Sequence, residues 1–491
     1  MPSSKAHQCP QLRIVRAAGA ALLSFPLLAA PTVTDVVLSQ EPGTSDLLID
    51  YGLGDEAAIV TVDIQRKSDG NWVSIGVTNL THLTGDVHRE LAASGSYTVR
   101  WNPTLAWKDA PSEPVEVRAV VKAYPLDNPP DVLVAQLMGR LEHEYYDDLC
   151  QLPGGILGNE QYKRESIVMR RCHAAGRTFT LGRDYNPGNW APNWAQRDVT
   201  FKNDFYIGVF ELTGAQMSSA RRWHPDTKVS GAYDDNWQKR PFNGQSCQWM
   251  RGAKYPDPPA ADSGLDNFYT RTGIRFDLPS AAQWEFAARA GLSAEYLGRE
   301  DIPAPKFASY DAEDSDGTVA RVATFNASRA PDNRATEVGS HEPNAFGLYD
   351  VFGNVAEFCL DRISNDLAAD QPADETPMMN PAHTPDASGR GHMAMGGHYD
   401  NPPSKCSISS NWNYWDTPYD MYCFRLVAPL SCGTAVGVVS QPSEGLVITV
   451  ERPSDDESDE KSPLALLYRD SEESEGASLS GEPAGLIMIV Q

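Results

Sequence analysis

The sequence predicts an α+β protein in which a β-sandwich precedes a larger domain that contains both strands and helices. Residues 60–65 alternate apolar and polar side chains, which is the period of a half-buried strand. Residues 205–213 form an apolar run of strand length, and residues 280–289 carry a helix-start signal followed by strong helix formers. The chain has 491 residues, enough for about two to four domains.

The sandwich is predicted over residues 31–127. Asp69-Gly70 is a two-residue turn signal, and the run that follows it at residues 72–75 is typical of the second strand of a hairpin. Residues 97–101 and 115–119 alternate in the same way. Short strands at this spacing indicate an immunoglobulin- or fibronectin-like sandwich, a module that usually serves as a spacer or an interaction surface.

The N-terminus has the pattern of a secretory signal peptide over residues 1–30. Lys5, Arg13 and Arg16 precede an apolar stretch at residues 17–30 that ends in small residues. The sequence therefore predicts an exported protein, in the periplasm, at the cell surface or outside the cell. An uncleaved apolar segment is the alternative. No later stretch is apolar over the length of a membrane span, so no transmembrane segment is expected in the mature chain.

The acidic character of the chain limits its partners. The formal net charge is −25, which argues against nucleic-acid binding because phosphate backbones are recognised by basic patches. Residues 433–491 are interpreted as strand-like sequence, at residues 446–450, followed by an acidic, Ser-rich tail. Such a tail repels itself and is predicted to be disordered, with a calcium-attracting or partner-binding role as the alternative.

The cysteines predict few cross-links. Cys9 would leave with the signal peptide, no CxxC pair exists, and an odd number of cysteines would remain. One or two disulfides at most are expected, with buried free thiols, and a zinc site is unsupported. The remaining cysteines are Cys150, Cys172, Cys247, Cys359, Cys406, Cys423 and Cys432.

A helix is predicted near the middle of the second domain, which we place at residues 160–432 after a linker or lead-in at 128–159. Ser280 can cap its first turn, and Gln283 completes a capping box three residues later. Trp284 lies on one helix face and is expected to anchor the core.

Four stretches of the second domain carry a family resemblance, at residues 205–213, 276–289, 344–358 and 396–427. They resemble, in order, the yEVT, RLPTEAEWE, GLyDmxGNvwE and GGS…GFR patterns of the formylglycine-generating enzyme (sulfatase-modifying factor) family. The resemblance implies an α+β fold related to that of C-type lectins, with little regular secondary structure and long ordered loops.

The resemblance also implies a structural calcium ion. Its ligands would be the side chains of Asp350 and Glu357 and the backbone carbonyls of Gly353 and Val355. Oxygen ligands of this kind suit Ca²⁺. The alternative is that Glu357 bonds to backbone amides without an ion.

The family enzymes bind copper(I) through two cysteines, five and ten residues after the first Gly of GGS. Here Asn401 stands at the first position and Cys406 at the second, and His398 replaces the family Ser. An amide cannot replace a soft thiolate ligand, so copper and Cys-to-formylglycine activity are not expected. Cys406 is then a buried structural thiol or a disulfide partner, with Cys359 and Cys423 as candidates.

Iron is a weaker possibility. His398 and Asp400 have the His-x-Asp spacing of a facial triad, and His392 is nearby as a third ligand. Three such residues in one loop are common by chance.

The stretch around residues 399–422 is rich in polar and aromatic side chains, as binding loops are. Tyr399, Asn411, Trp412 and Tyr414 are the candidate ligand-binding residues, and the alternative is that they pack the core. The sequence thus predicts a module that binds an unidentified protein or glycan. The other interpretations are an oxygen-dependent metalloenzyme with an altered site and a purely architectural role.

Overall fold

The structure is a computed structural model that describes residues 30–450, except 140–141, 183–195, 223, 225, 229–236, 294–295, 305–312, 363–372, 378–389, 407–410, 416–418 and 431–436. The predicted signal peptide and acidic tail therefore lie outside the described residues, apart from Ala30. No helix within the described parts of the chain is long and apolar enough to cross a membrane.

The N-terminal part is built from two antiparallel sheets. One sheet has the order β1-β2-β7-β5, and the other joins β8, β3 and β4, with β6 beside β3. A short helix, α1 (Pro103–Ala106), separates the last two strands. The strands are β1 (Thr32–Gln40), β2 (Leu47–Gly54), β3 (Ala58–Ser68), β4 (Asn71–Ser74), β5 (Leu83–Gly85), β6 (Glu90–Leu91), β7 (Gly95–Trp101) and β8 (Val115–Pro125).

The two sheets share one core, in which Ile49 and Val99 of the first sheet pack with Val62 and Val121 of the second. Each of these residues alternates along its strand with a residue that points away from the core. The predicted hairpin at Asp69-Gly70 is confirmed, because β3 and β4 pair across it and both turn residues have positive φ.

The described part of the second domain contains three further sheets, of orders β10-β9-β11-β14-β19, β12-β13 and β17-β16-β15-β18. The segment predicted as a linker or lead-in, residues 128–159, supplies β9 and β10, and β9 pairs with β11. The strands are β9 (Val132–Gln136), β10 (Glu144–Tyr146), β11 (Ser166–Cys172), β12 (Thr178–Leu181), β13 (Arg197–Thr200), β14 (Phe205–Gly208), β15 (Ala356–Phe358), β16 (Arg390–Met395), β17 (Asn411–Trp415), β18 (Tyr422–Cys423) and β19 (Val427–Pro429).

Among the residues described for this domain, four short helices pack against the sheets: α2 (Gly214–Ala220), α3 (Cys247–Arg251), α4 (Gly264–Thr272) and α5 (Ala281–Arg289). The capping box predicted for α5 is confirmed, because the Ser280 hydroxyl accepts from the Gln283 amide and the Gln283 side chain accepts from the Ser280 amide. Trp284 is 1% exposed and belongs to the main core of the domain.

The chain returns to the sandwich after the second domain. The strands β20 (Val438–Val439) and β21 (Leu446–Ile448) both pair with β8. Between them, the hydroxyls of Ser440 and Ser443 accept from backbone amides of β8. The strand-like sequence predicted at residues 446–450 is present, and it completes the first domain.

Candidate functional site

A buried ion pair lies at the centre of the second domain. Arg425 is fully buried and donates to both carboxylate oxygens of Glu357 at 2.6–3.0 Å. Its guanidinium also donates to three backbone carbonyls at 2.8–3.0 Å, those of Gly208, Val209 and Tyr349. Trp284 adds an indole N–H bond to Glu357 at 2.6 Å. The charge and the donors of this arginine are therefore satisfied inside the core.

A second buried carboxyl group, that of Glu211, lies beside this pair. It accepts from the Asn354 side chain at 2.7 Å, from the Val355 amide at 3.1 Å and from the Cys423 thiol at 3.8 Å. Burial raises the pKa of Glu211 well above its ordinary value, and the neighbouring acids Asp350 and Glu357 raise it further.

Sequence reasoning missed Arg425 and Glu211, although both lie in the stretches that carry the family resemblance. Each is a charged residue inside an apolar run, at Phe424-Arg425-Leu426 and at Phe210-Glu211-Leu212. Because burial of the run also buries the charge, a buried partner is required. That signal was available in the sequence.

Asp350 completes the acidic cluster and is the best-placed calcium ligand among the predicted residues. It is 2% exposed, and its Oδ2 accepts from the Gly339 amide at 2.5 Å. Its Oδ1 is buried without a hydrogen-bond partner. Burial raises the pKa of Asp350 to about 6. The charge of Arg425 thus acts on three carboxyl groups, those of Glu211, Asp350 and Glu357. The Asp350 Oδ1, which has no hydrogen-bond partner, fits a bound cation.

Two of the other predicted calcium ligands, Gly353 and Val355, lie in the loop that follows Asp350, whereas Glu357 lies in β15 and bonds to Arg425 and Trp284. Gly353 has φ of 90°, and a Cβ there would collide with the Thr324 carbonyl, so the loop depends on glycine. The Val355 carbonyl accepts only a weak bond from the Cys423 thiol at 3.8 Å. Among the described residues no group of three or more His, Cys, Asp or Glu side chains is arranged to hold a metal ion. Calcium binding by two carboxylates and two carbonyls stays a prediction.

Asn401, predicted to stand where the family has its first cysteine, is a buried structural residue. Its side-chain oxygen accepts from the His398 amide at 3.0 Å, and its carbonyl accepts from the Asn326 amide at 2.9 Å. His398 is 6% exposed, and burial lowers its pKa to about 4. Its Nδ1 accepts from the Asp400 amide at 3.3 Å. These bonds fix a compact loop.

Cys406 is fully buried in the main core, and burial raises the pKa of its thiol above the ordinary value. Burial therefore favours the neutral thiol in the absence of a metal ion. Cys359 and Cys423, its predicted disulfide candidates, are also free. Five cysteines of the described part of the chain are free, so the predicted disulfides are not formed among these five: Cys150, Cys172, Cys359, Cys406 and Cys423. Cys432 lies outside the described residues.

The residues considered for iron have other partners. His392 accepts from the Arg362 Nε at 3.2 Å. Asp400 forms an ion pair with Arg329. Together with His398 they do not form a metal-holding group within the described residues.

Tyr399 was predicted to lie on a ligand-binding surface, but it is a core residue. It is 4% exposed and packs with Ala335, Val355 and Cys423, so its ring is not available to a ligand. Asn411, Trp412 and Tyr414 lie in β17, which pairs with β16. The predicted loop is therefore a strand at these positions, and the side chains of these three residues lie outside the described part.

A cleft of about 710 Å³ opens beside the loop of Asn401. Its charged lining residues are Arg329, Asp400, Glu313 and Asp314, and its apolar ones include Phe325, Pro402 and Pro403. Sequence reasoning missed this cleft, because its walls come from loops without a recognisable motif.

Most of the second domain matches the model of one known family. Residues 173–430 match the sulfatase-modifying factor enzyme 1-like (FGE-sulfatase) domain, and the chain belongs to that family. It is 32% identical over 132 residues to the formylglycine-generating enzyme of Streptomyces coelicolor, covering 26% of this chain and 38% of that protein. It is 23% identical over 192 residues to the chaperone protein LppX of Paenibacillus barcinonensis, covering 34% of this chain and 65% of that protein. The chain thus spans less than two thirds of either relative.

Solved structures with a similar arrangement include PvdO from Pseudomonas aeruginosa and the Treponema denticola variable protein 1. The first has 21% identity and a TM-score of 0.40, and the second has 18% identity and a TM-score of 0.39. Each match covers 54% of this chain and 95% of the other chain.

Proposed function

We propose that the second domain is a ligand-binding module that does not convert cysteine to formylglycine. The observation that carries this proposal is the pair of positions at Asn401 and Cys406. The first is a buried amide engaged in the loop, and the second is a buried neutral thiol. The family pair holds copper(I) through two soft thiolates, and with an amide at Asn401 only Cys406 of this pair could supply one.

The ligand is proposed to be a protein or a glycan that binds in the cleft beside the loop of Asn401. A cleft of about 710 Å³ has the size of a small-molecule or peptide-side-chain pocket. Its wall combines the charged pair Arg329–Asp400 with Phe325 and two prolines, which suits a ligand with both polar and apolar surface. The sandwich, proposed as immunoglobulin- or fibronectin-like, would carry this module in an exported protein.

The decisive experiment offers the purified protein a peptide with the sulfatase-type Cys-x-Pro-x-Arg sequence, with and without copper(I). We expect no mass change from thiol to aldehyde, beside a formylglycine-generating enzyme that converts the same peptide. Conversion would overturn the proposal. Stoichiometric copper or iron retained after dialysis would instead favour the alternative of an oxygen-dependent metalloenzyme.

The binding role is tested on peptide and glycan arrays. An array hit should weaken at least tenfold in Arg329→Ala, because this change removes a charge from the cleft wall. Arg299→Ala is the matched control, since Arg299 pairs with Asp301 away from the cleft-lining residues. Equal binding by both variants would place the ligand elsewhere.

Calcium is proposed to stabilise the loop of residues 350–357 through Asp350 Oδ1. At a free calcium concentration 100 times the Kd, we expect about 2.7 kcal/mol of added stability over the chelated protein. Thermal unfolding in calcium and in EDTA measures this difference. Asp350→Asn should remove most of it, whereas Asp301→Asn on the surface should leave it unchanged. If the unmodified protein unfolds at the same temperature in both buffers, the proposal that it binds calcium is contradicted.

A further inference from the structure

The sandwich and the second domain meet at a joint formed by His88 and residues 144–148. The Tyr145 amide donates to the His88 carbonyl at 2.7 Å, and the His88 Nδ1 lies 2.9 Å from the Tyr145 carbonyl. The His88 ring stacks on Tyr146 with ring centres 4.2 Å apart. The His88 amide also donates to the Val60 carbonyl of β3 at 2.8 Å, so one residue bonds to both domains.

Asp147 supplies the second half of the joint. Its carboxylate accepts from the Thr61 hydroxyl at 3.1 Å, from the Lys122 ammonium at 2.9 Å and from the Tyr124 hydroxyl at 2.8 Å. These three partners lie on β3 and β8, the two longest strands of the sandwich. The segment after β10 is therefore bonded directly to the sheet of the other domain.

The surroundings of His88 favour a neutral imidazole. The residue is 6% exposed, and one nitrogen bonds a carbonyl while the ring face lies on Tyr146. The Tyr146 hydroxyl donates to Glu144 at 2.7 Å. The neighbouring charged groups bond to other partners. Asp147 accepts the three bonds described above, and Arg89 donates to Asp86 at 2.6 Å and to Glu142 at 3.4 Å.

We propose that this joint is an acid-sensitive hinge, in which proton uptake by His88 releases residues 144–148 from the sandwich. A charged imidazole would lie buried without an ion-pair partner, so the docked state resists protonation. Residues 126–131 and the return of the chain to β20 both join the two domains, so release of residues 144–148 does not separate them.

The direction of the pH effect follows from burial. Burial lowers the pKa of His88 from 6.5 to about 4 in the docked state, although the hydrogen bond to the Tyr145 carbonyl and the charge of Asp147 act in the opposite direction. Above pH 6.5 the imidazole is neutral in both states, and docking has its full strength. Between pH 6.5 and 4 the undocked state takes up the proton first, so docking weakens on the order of 100-fold.

Hydrogen–deuterium exchange of the full chain at pH 7.5 and pH 5 tests the hinge. After correction for intrinsic exchange, we expect protection of the Tyr145 amide, which donates to the His88 carbonyl, to fall at least tenfold at pH 5. Protection of the β2–β7 pair inside the sandwich should not change. His88→Asn keeps a side-chain N–H donor and tolerates the positive φ of 61°, but it does not titrate. This variant should lose the pH response.

The matched control is His82→Asn, because His82 is exposed and also has positive φ, at 56°. It should respond to pH like the unmodified protein. A pH response retained in His88→Asn, or absent from the unmodified protein, would refute the hinge. An NMR titration of the unmodified protein gives a test that needs no variant: the His88 ring must titrate well below 6.5, together with the loss of protection. A His88 pKa near 6.5 would also refute the proposal.

Discussion

Arg425→Met should destabilise the second domain by about 3–5 kcal/mol, measured as the free energy of urea unfolding by far-UV circular dichroism. The change leaves Glu357, which is 1% exposed, without its counter-charge. It also leaves three buried carbonyls without donors. Arg425→Lys should recover only part of the loss, because one ammonium cannot match the planar set of donors.

The matched control for Arg425 is Arg321→Met on the surface. Arg321 pairs with Asp301 and Glu342, but its side chain is 38% exposed, so we expect a change within about 0.5 kcal/mol. If the two methionine variants unfold at the same urea concentration, the buried pair does not hold the domain together.

Local signals predicted the elements whose causes lie within a few residues. Helix α5 begins where Ser280 and Gln283 can satisfy each other's backbone amides, and nothing outside the segment is needed for that. The hairpin at Asp69-Gly70 is equally local. The return of β21 to β8 was not predictable, because alternation identifies a strand but not its partner. The Ser443 bond to Ala119 joins residues 324 positions apart.

In the candidate site, too, local sequence patterns predicted some features, whereas contacts between distant segments could not be predicted. The family patterns located Asp350, in the loop before β15, and Glu357, in β15, and they correctly indicated an FGE-sulfatase domain. The same patterns did not show that Arg425 and Trp284, from distant segments, both bond to Glu357. Composition was misleading for Tyr399: a polar, aromatic stretch is compatible with a binding loop, but packing against Cys423 places this ring in the core.

Trp284→Ala should cost about 3–5 kcal/mol, because it removes the largest side chain of the α5 face from a close-packed core. The indole is 1% exposed, and a Cβ at Gly396 would already lie 3.2 Å from its ring. Trp284→Phe separates packing from hydrogen bonding, since it keeps an aromatic ring but loses the N–H donor to Glu357. We expect about 1–3 kcal/mol for this smaller change.

The control is Trp72→Phe on the surface strand β4, where the ring lies under Arg118 and has no comparable buried acceptor. Its unfolding free energy should stay within about 0.5 kcal/mol of the unmodified protein. A Trp284→Phe variant as stable as Trp72→Phe would show that the indole N–H is dispensable. A loss that vanishes when Arg425 is already methionine would instead show that the indole acts only through the Glu357–Arg425 pair, since contacting residues couple in double-mutant cycles.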